Sequence, residues 1–313
     1  MARISVVITL FNKELHIKNC LDSVLNQTHS DFEIIVIDDG STDDSVRRVD
    51  EYSDDRITLC RQKNKGVSGA RNAGIRKCNS NYIAILDADD EWLPNHLENL
   101  LDLIKIYPGA AFWVSGYRKS TEKPSGYKRA NQKFYIQAYL DSTLKNTSIA
   151  WTSAVLIRKD RFDRTGGFME NISHGEDKAL WIEMCMDGYL GKSFLETAIY
   201  NVYDNTLSKK IVLSPEDDAC MLFVNKIVSL DKNLSVNVKE KLLETRNRYG
   251  LAHAIGALSH GQSAVAKNFI MVTKFTKIYR KKRAIISILW LISIWSPQVV
   301  SYGLHLISKW KKK

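Results

Sequence analysis

Short apolar runs alternate with helical patterns along the first hundred residues. Arg3 to Thr9 is apolar and β-branched and predicts a strand. From Leu15 to Gln27, Ile17, Cys20, Leu21, Val24 and Leu25 recur at helical spacing. Phe32 to Ile37 predicts a second strand and Arg56 to Cys60 a short third. A glycine-rich stretch, Asn64 to Gly74, runs into a helix, and Tyr82 to Leu86 predicts a fourth strand. A helix follows near Pro94. The β-α-β-α-β-α-β order predicts an α/β fold with a mostly parallel central sheet flanked by helices. Further on, Trp151 to Ile157 reads as a strand, and an amphipathic helix with Leu180, Trp181 and Met184 opens at His174-Gly175-Glu176-Asp177. Residues 119–148 are polar and weakly patterned and suit a mobile flap. Segments 216–231, 236–260 and 284–295 read as helices, a helical C-terminal extension.

Charge divides the chain differently. The net charge is +10, yet Glu244 is the last acidic residue, and 13 Lys and Arg follow it. The first 244 residues carry 32 bases against 35 acids, a net of −3. A near-neutral body with a cationic tail argues against a nucleic-acid groove and for a tail that faces an anionic surface. Five cysteines with no C-x-x-C pair argue against a disulfide framework or a zinc site and point to a reducing compartment. The apolar run at the N-terminus is too short for a signal peptide and reads as the first strand.

Three predicted strand ends carry polar clusters: Thr9 to Asn12, Asp38 to Asp43, and Asp87-Ala88-Asp89-Asp90. In a parallel sheet these ends share one edge, where open α/β folds place their ligands. Asp87 and Asp89 alternate by two, so on extended backbone they point the same way. Convergent carboxylates repel and call for a hard cation, Mg²⁺ or Mn²⁺. An acidic turn capping the next helix is the structural alternative. The glycine-rich stretch contains neither G-x-G-x-x-G nor G-x-x-x-x-G-K-[ST], which disfavours a Rossmann site and a P-loop.

In this order and spacing, residues 5–12, 37–43, 64–74 and 86–90 with Pro94, then Gly166-Gly167-Phe168 and Gly175-Glu176-Asp177 with Leu180-Trp181, resemble glycosyltransferase family 2, whose fold is GT-A. The resemblance covers roughly residues 1–205. It implies a GT-A catalytic domain over 1–211, with 1–110 the nucleotide half and 111–211 the acceptor half, and a helical, basic region over 212–313. It implies that Thr9, Phe11 and Asn12 line a nucleobase and ribose pocket. Many relatives carry Tyr where this chain has Phe11, so no phenolic hydrogen bond is available there. Asp39 would accept the imide N–H of a uracil, with Asp38 the alternative carboxylate or a turn residue. Arg71 would contact the nucleotide or its diphosphate. Asp87 would hold the ribose or the metal's water shell, and Asp89 the Mn²⁺ or Mg²⁺ itself. Asp177 would be the general base, with Glu176 the fallback, and single displacement would invert the anomeric centre.

The implied activity is transfer of a hexosyl or N-acetylhexosaminyl unit from a nucleotide-sugar, a UDP-sugar, to a lipid-linked or lipopolysaccharide glycan. Relatives build bacterial surface polysaccharides of the O-antigen and capsule kind. Transfer to a polyprenyl phosphate is an alternative. A non-catalytic, membrane-bound nucleotide-sugar-binding scaffold is another. In the tail, Lys277 to Arg283 precedes the apolar run 284–295, then Pro297, a milder apolar stretch to Ile307, and Lys309-Trp310-Lys311-Lys312-Lys313. Twelve residues make a helix of about 18 Å, short of a bilayer core of about 30 Å. The basic ends and Trp290, Trp295 and Trp310 suit a helix pair lying in the interface of an anionic inner leaflet, on the cytoplasmic side. A kinked span over 284–307, or a tail packed on the body or on a dimer partner, are the other readings.

Overall fold

The computed structural model describes residues 3–126, 130–145, 149–172, 174–203, 214–231, 233–273, 276 and 278–295. The chain divides into two compact units. The first comprises residues 1–142, 147–171 and 180–206, and the second 143–146, 172–179 and 207–313.

The first unit holds a nine-stranded sheet. Its N-terminal half follows the predicted alternation: β1 (Ile4–Leu10), α1 (Ile17–Leu25), β2 (Phe32–Asp38), α2 (Ser45–Asp50), β3 (Ile57–Arg61), α3 (Gly66–Lys77) and β4 (Tyr82–Asp87). Then come β5 (Glu91–Trp92), α4 (His96–Ile106), β6 (Phe112–Lys119), β7 (Asn131–Tyr135), α5 (Ile136–Leu144), β8 (Val155–Arg158), α6 (Lys159–Phe162), α7 (Glu176–Met186) and β9 (Tyr189–Tyr200). The sheet order is β3-β2-β1-β4-β8-β6-β9-β5, with β7 also paired to β9. The first four strands are mutually parallel; β8 then runs antiparallel to both β4 and β6. The inner parallel strands β1, β2 and β4 are mostly apolar because helices cover both faces, whereas the edge strand β3 is half exposed. On β1, Ile4, Val6, Ile8 and Leu10 enter the core beneath α1 and α4. Val7, on the opposite face, meets α3.

Two local expectations change. The strand expected over 151–157 begins only at Val155, because Thr152–Ala154 form a 3₁₀ turn after Trp151. That turn points Ser153 at the acidic end of β4. Residues 131–144, expected in a flap, form β7 and α5, and β7 pairs with β9 from Asn131–Ser193 to Tyr135–Tyr189.

The second unit is helical: α8 (Ala219–Leu230), α9 (Val236–Ser259), α10 (Ser263–Val272) and α11 (Arg280–Trp295). Asp218 caps α8 through the Met221 N–H and Ser235 caps α9 through that of Val238. Small residues on α9 (Ala254, Ala257) and α10 (Ala266) let these helices close on Leu251, Phe269, Ile286 and Leu289. α11 starts at Arg280, so the basic cluster forms its first turn rather than preceding it. Cations there oppose the helix dipole. Arg283 turns away, donating from Nε to the Thr273 carbonyl at 3.0 Å, at the C-terminus of α10 where a cation is favoured. Ile286 and Leu289 are buried while Ile288 and Leu291 stay exposed. Among the described residues no helix is long and apolar enough to cross a membrane. Pro297 and the stretch to Lys313, the expected second half of a helix pair, lie outside the described residues, as do Lys277 and the expected boundary at 211/212.

Candidate active site

The parallel register sets the site. Thr9 of β1 lies beside Ile37 of β2 and Asp87 of β4, so the polar ends of three strands meet at one sheet edge. Thr9 Oγ1 donates to Asp87 Oδ1 at 3.1 Å. The Arg71 guanidinium, 4% exposed, reaches both Asp87 oxygens from Nη2, at 2.9 and 3.0 Å. Its carbon lies 5.2 Å from the centre of the Phe168 ring. Arg71 can approach this closely because α3 is built from small residues: a Cβ on Gly74 would sit 2.4 Å from Val7 Cγ1. On the next residue of the same helix, the Asn72 amide donates to the Phe168 carbonyl at 2.8 Å and accepts the Phe168 N–H at 2.9 Å. Those bonds tie the Gly166-Gly167-Phe168 turn, with Gly167 at φ +78°, to α3.

Asp89, two residues on, does not share the Arg71 clamp. Its Oδ2 takes the Lys13 ammonium at 2.5 Å. Asp90 points the other way and is 1% exposed. It accepts from Ser153 Oγ at 2.5 Å, from Trp151 Nε1 at 3.2 Å, and from the Asn201 N–H at 3.1 Å. Burial, and then the neighbouring Asp87 charge, push the Asp90 carboxyl up to about 8. Ser153 Oγ also accepts the Asp87 N–H at 3.2 Å, so one hydroxyl fixes both ends of the acidic turn.

The second cluster is tied to the first strand's end. Asn12, at φ +51°, accepts the Thr42 N–H at 2.8 Å through its side chain, and its own N–H donates to Ser41 Oγ at 3.0 Å. Asp38 is fully buried and caps the Ser41 N–H at 3.0 Å. Asp39 Oδ1 takes Gln62 Nε2 at 2.7 Å and the Lys65 N–H at 2.9 Å, holding the start of α3 against β2. Phe11, 40% exposed, presents an aromatic face at this edge.

Glu176 and Asp177 begin α7 and belong to the second unit. Asp177 Oδ1 accepts the Lys178 N–H at 2.7 Å. Burial works against the Lys178 charge, but the adjacent Asp177 carboxylate holds its ammonium above the usual lysine range, and its Nζ lies 5.0 Å from the Tyr249 ring centre. The loop before α7 is pinned by Asp218. His174 bridges to it, the Ala219 N–H donates to the His174 carbonyl at 2.8 Å, and His253 Nε2 meets Asp218 Oδ2 at 2.8 Å. The His174 main chain is therefore an anchor point of this loop.

Thr9, Arg71 and Asp87 thus form one hydrogen-bonded group, Asp89 a second with Lys13, and Asn12 and Asp39 brace the adjoining loops. Sequence reasoning overlooked Lys13, Asn72, Ser153 and Asn201, whose partners lie far away in the chain: Lys13 and Asp89 are 76 positions apart. As for a cation, the donor set is carboxylate oxygen only, suited to Mg²⁺ or Mn²⁺ completed by water and phosphate. Both carboxylates are paired, but Arg71 is buried on Asp87 while Lys13 on Asp89 is partly exposed, so Asp89 is the carboxylate that a cation can claim most readily.

The model of the family described as "Glycosyl transferase family 2" matches residues 5–166. An uncharacterized glycosyltransferase of Rickettsia bellii is 33% identical over 195 residues, 61% of this chain and 27% of that protein. Chondroitin synthase of Escherichia coli is 29% identical over 229 residues, 68% of this chain and 31% of that protein. The chain spans between 27% and 33% of the length of the first curated relatives it matches. Among solved structures, residues 1–349 of TarS of S. aureus, in complex with UDP-GlcNAc, superpose with a TM-score of 0.76 at 16% identity, covering 97% of this chain and 92% of that one. That likeness shows the shared GT-A-like fold.

Proposed function

Since the chain belongs to glycosyltransferase family 2, we propose that it is an inverting, metal-dependent glycosyltransferase that moves a sugar from a UDP-sugar to a lipid-linked or lipopolysaccharide glycan in surface polysaccharide synthesis. The observation that carries this reading is the Thr9–Asp87–Arg71 group beside the Asp89–Lys13 pair at the C-terminal edge of β1 and β4. It offers cationic and carboxylate groups together, as a diphosphate with its counter-cation requires. UDP-GlcNAc in the superposed TarS structure supports a uridine donor, and the likeness to chondroitin synthase supports a polysaccharide product.

Phe11 stacks on the base, with Thr9 and Asn12 beside it. Asp39 keeps Oδ2 for a uracil imide, since Oδ1 is engaged by Gln62 and Lys65. Arg71 presents a guanidinium fork to the nucleotide or its diphosphate. Asp87, clamped by Arg71, would hold the ribose or the metal's water shell, and Asp89 would hold the Mn²⁺ or Mg²⁺ itself. Such a cation offsets charge on the departing nucleoside diphosphate. Asp177, or failing it Glu176, takes the proton of the acceptor hydroxyl. We assign the transferase machinery to residues 1–211 and the remainder to docking on an anionic membrane surface at the cytoplasmic face. Exposed Ile288 and Leu291 on α11, with Arg280 and Lys281 at its start, support that docking role.

The test is calorimetric titration of UDP, GDP and TDP with Mn²⁺ and with EDTA, beside Asp89→Ala. UDP binding that needs both the metal and Asp89 is expected. Equal binding in EDTA, or no nucleotide binding, refutes the assignment.

A further inference from the structure

The two carboxylates of the Asp87-Ala88-Asp89 turn are each matched by a cation of the chain, in different ways. Asp87 is held by a rigid, buried guanidinium: Arg71 is almost fully buried, reaches both carboxylate oxygens from Nη2 and lies against Phe168. Asp89 is held by a point charge on a flexible stem. The Lys13 side chain is 31% exposed and the Asp89 side chain 21% exposed, and one contact of 2.5 Å joins them. The Lys13 backbone is fixed. Its N–H donates to Ser45 Oγ at 2.7 Å and its carbonyl accepts the His16 and Ile17 N–H groups at 2.9 and 3.0 Å. Lys13 therefore keeps its place in the turn before α1 while its ammonium is free to move over a few ångströms. Arg71 has no such freedom.

A divalent cation and the Lys13 ammonium cannot both occupy Asp89 Oδ2, because like charges a few ångströms apart repel strongly where water is partly excluded. The two must exchange, and the displaced ammonium needs a new anion. The carboxylates Asp87 and Asp90 are already committed to Arg71 and to Ser153, Trp151 and Asn201. The anion that arrives with the cation is the donor's own diphosphate.

We propose that Lys13 couples cation binding to donor binding: its ammonium neutralises Asp89 in the empty site and transfers to a diphosphate oxygen when the nucleotide brings the cation. Metal alone is then rejected, and metal with a nucleoside diphosphate is accepted. This rests on the reading of Asp89 as the cation's carboxylate.

The test is Mn²⁺ titration followed by the electron paramagnetic resonance signal of the free ion, in the full chain, with and without UDP. The proteins are wild type, Lys13→Met, Lys13→Arg and Asp89→Asn. Lys13→Met keeps the stem and removes the charge. It should bind Mn²⁺ without UDP about two- to fivefold more tightly than wild type, the size of one well-placed, partly exposed ion pair. Its enhancement of Mn²⁺ binding by UDP should shrink by at least a similar factor. Lys13→Arg should keep the wild-type dependence on UDP. If Lys13→Met matches wild type with metal alone, or keeps the full enhancement by UDP, the coupling role is overturned while the cation site stands. If Asp89→Asn takes up Mn²⁺ with UDP as wild type does, the cation is held elsewhere; the donor-site reading then fails and the coupling with it.

Discussion

Replacing Gly74 by alanine isolates what brings Arg71 to the sheet edge. Gly74 lies in α3, where the added Cβ would fall 2.4 Å from Val7 Cγ1, 3.4 Å from Val7 Cγ2 and 3.2 Å from Ile37 Cγ1. Carbon atoms in contact sit about 3.5–4.0 Å apart, so something must move by about 1 Å. Val7 and Ile37 cannot yield cheaply. Both are β-branched, buried, and part of central parallel strands. Overpacking of this kind costs about 1–3 kcal/mol, and the better helix propensity of alanine offsets about 1 kcal/mol of it. A net loss of about 0–2 kcal/mol is expected. The helix should also lift from β1, lengthening the bonds from Arg71, one turn earlier, to Asp87. Nucleotide affinity should therefore fall further than the stability loss alone explains. Hydrogen exchange of the β1 and β2 amides under a urea series reads the first unit's stability separately from the second's. The decisive comparison is the cycle with Val7→Ala, which removes both crowded methyl groups. Gly74→Ala should be milder in that background, with a coupling of about 1–2 kcal/mol. If Gly74→Ala stabilises the wild type, or the two changes add within about 0.5 kcal/mol, the close-approach argument fails.

Arg71→Lys keeps the charge but lacks the planar guanidinium whose Nη2 meets both Asp87 oxygens; UDP affinity should fall at least about tenfold, a loss of about 1.4 kcal/mol, and unchanged calorimetric binding would contradict the clamp. His96, buried against Trp92 and Thr197, is pushed down to about 3 by burial. The unfolded chain then takes up a proton near pH 6.5 that the folded chain refuses, so stability falls as the pH drops from 6.5 towards 3, by about 1.4 kcal/mol per unit from this residue. Acid unfolding of His96→Gln should lack that slope, and parallel curves would refute the assignment. His253→Ala removes one partner of the buried Asp218 carboxylate. A loss of about 1–3 kcal/mol is expected, with faster hydrogen exchange over residues 174–178 and the first turn of α8. Unchanged exchange there would show that the loop before α7 is held by other contacts.

The elements legible in the sequence were those whose signal is local. β1, β2 and β4 read as mostly apolar runs because helices cover both faces of a parallel sheet, and α1 shows its buried stripe directly. The polar residues that close those runs had to share an edge once the strands were parallel, so Thr9 and Asp87 were legible as members of one sheet edge, while the direct pairing of β1 with β4 that makes them neighbours was not. The register of β6, β8 and β9 was not legible, because antiparallel insertion of β8 between β4 and β6 depends on pairings across tens of residues. Nor was the partner of each carboxylate. Within four residues the fold assigns Asp87 to Arg71, Asp89 to Lys13 and Asp90 to Ser153. Three chemically equal side chains acquire different surroundings because three different elements reach the same turn. In the tail, the sequence shows an apolar stretch with basic ends. Only packing decides that Ile286 and Leu289 face α9 and α10, that Arg283 serves the end of α10, and that Ile288 and Leu291 remain exposed. Composition and periodicity specify which faces are apolar, but partners brought together by chain reversals are chosen by tertiary contacts that no local window contains.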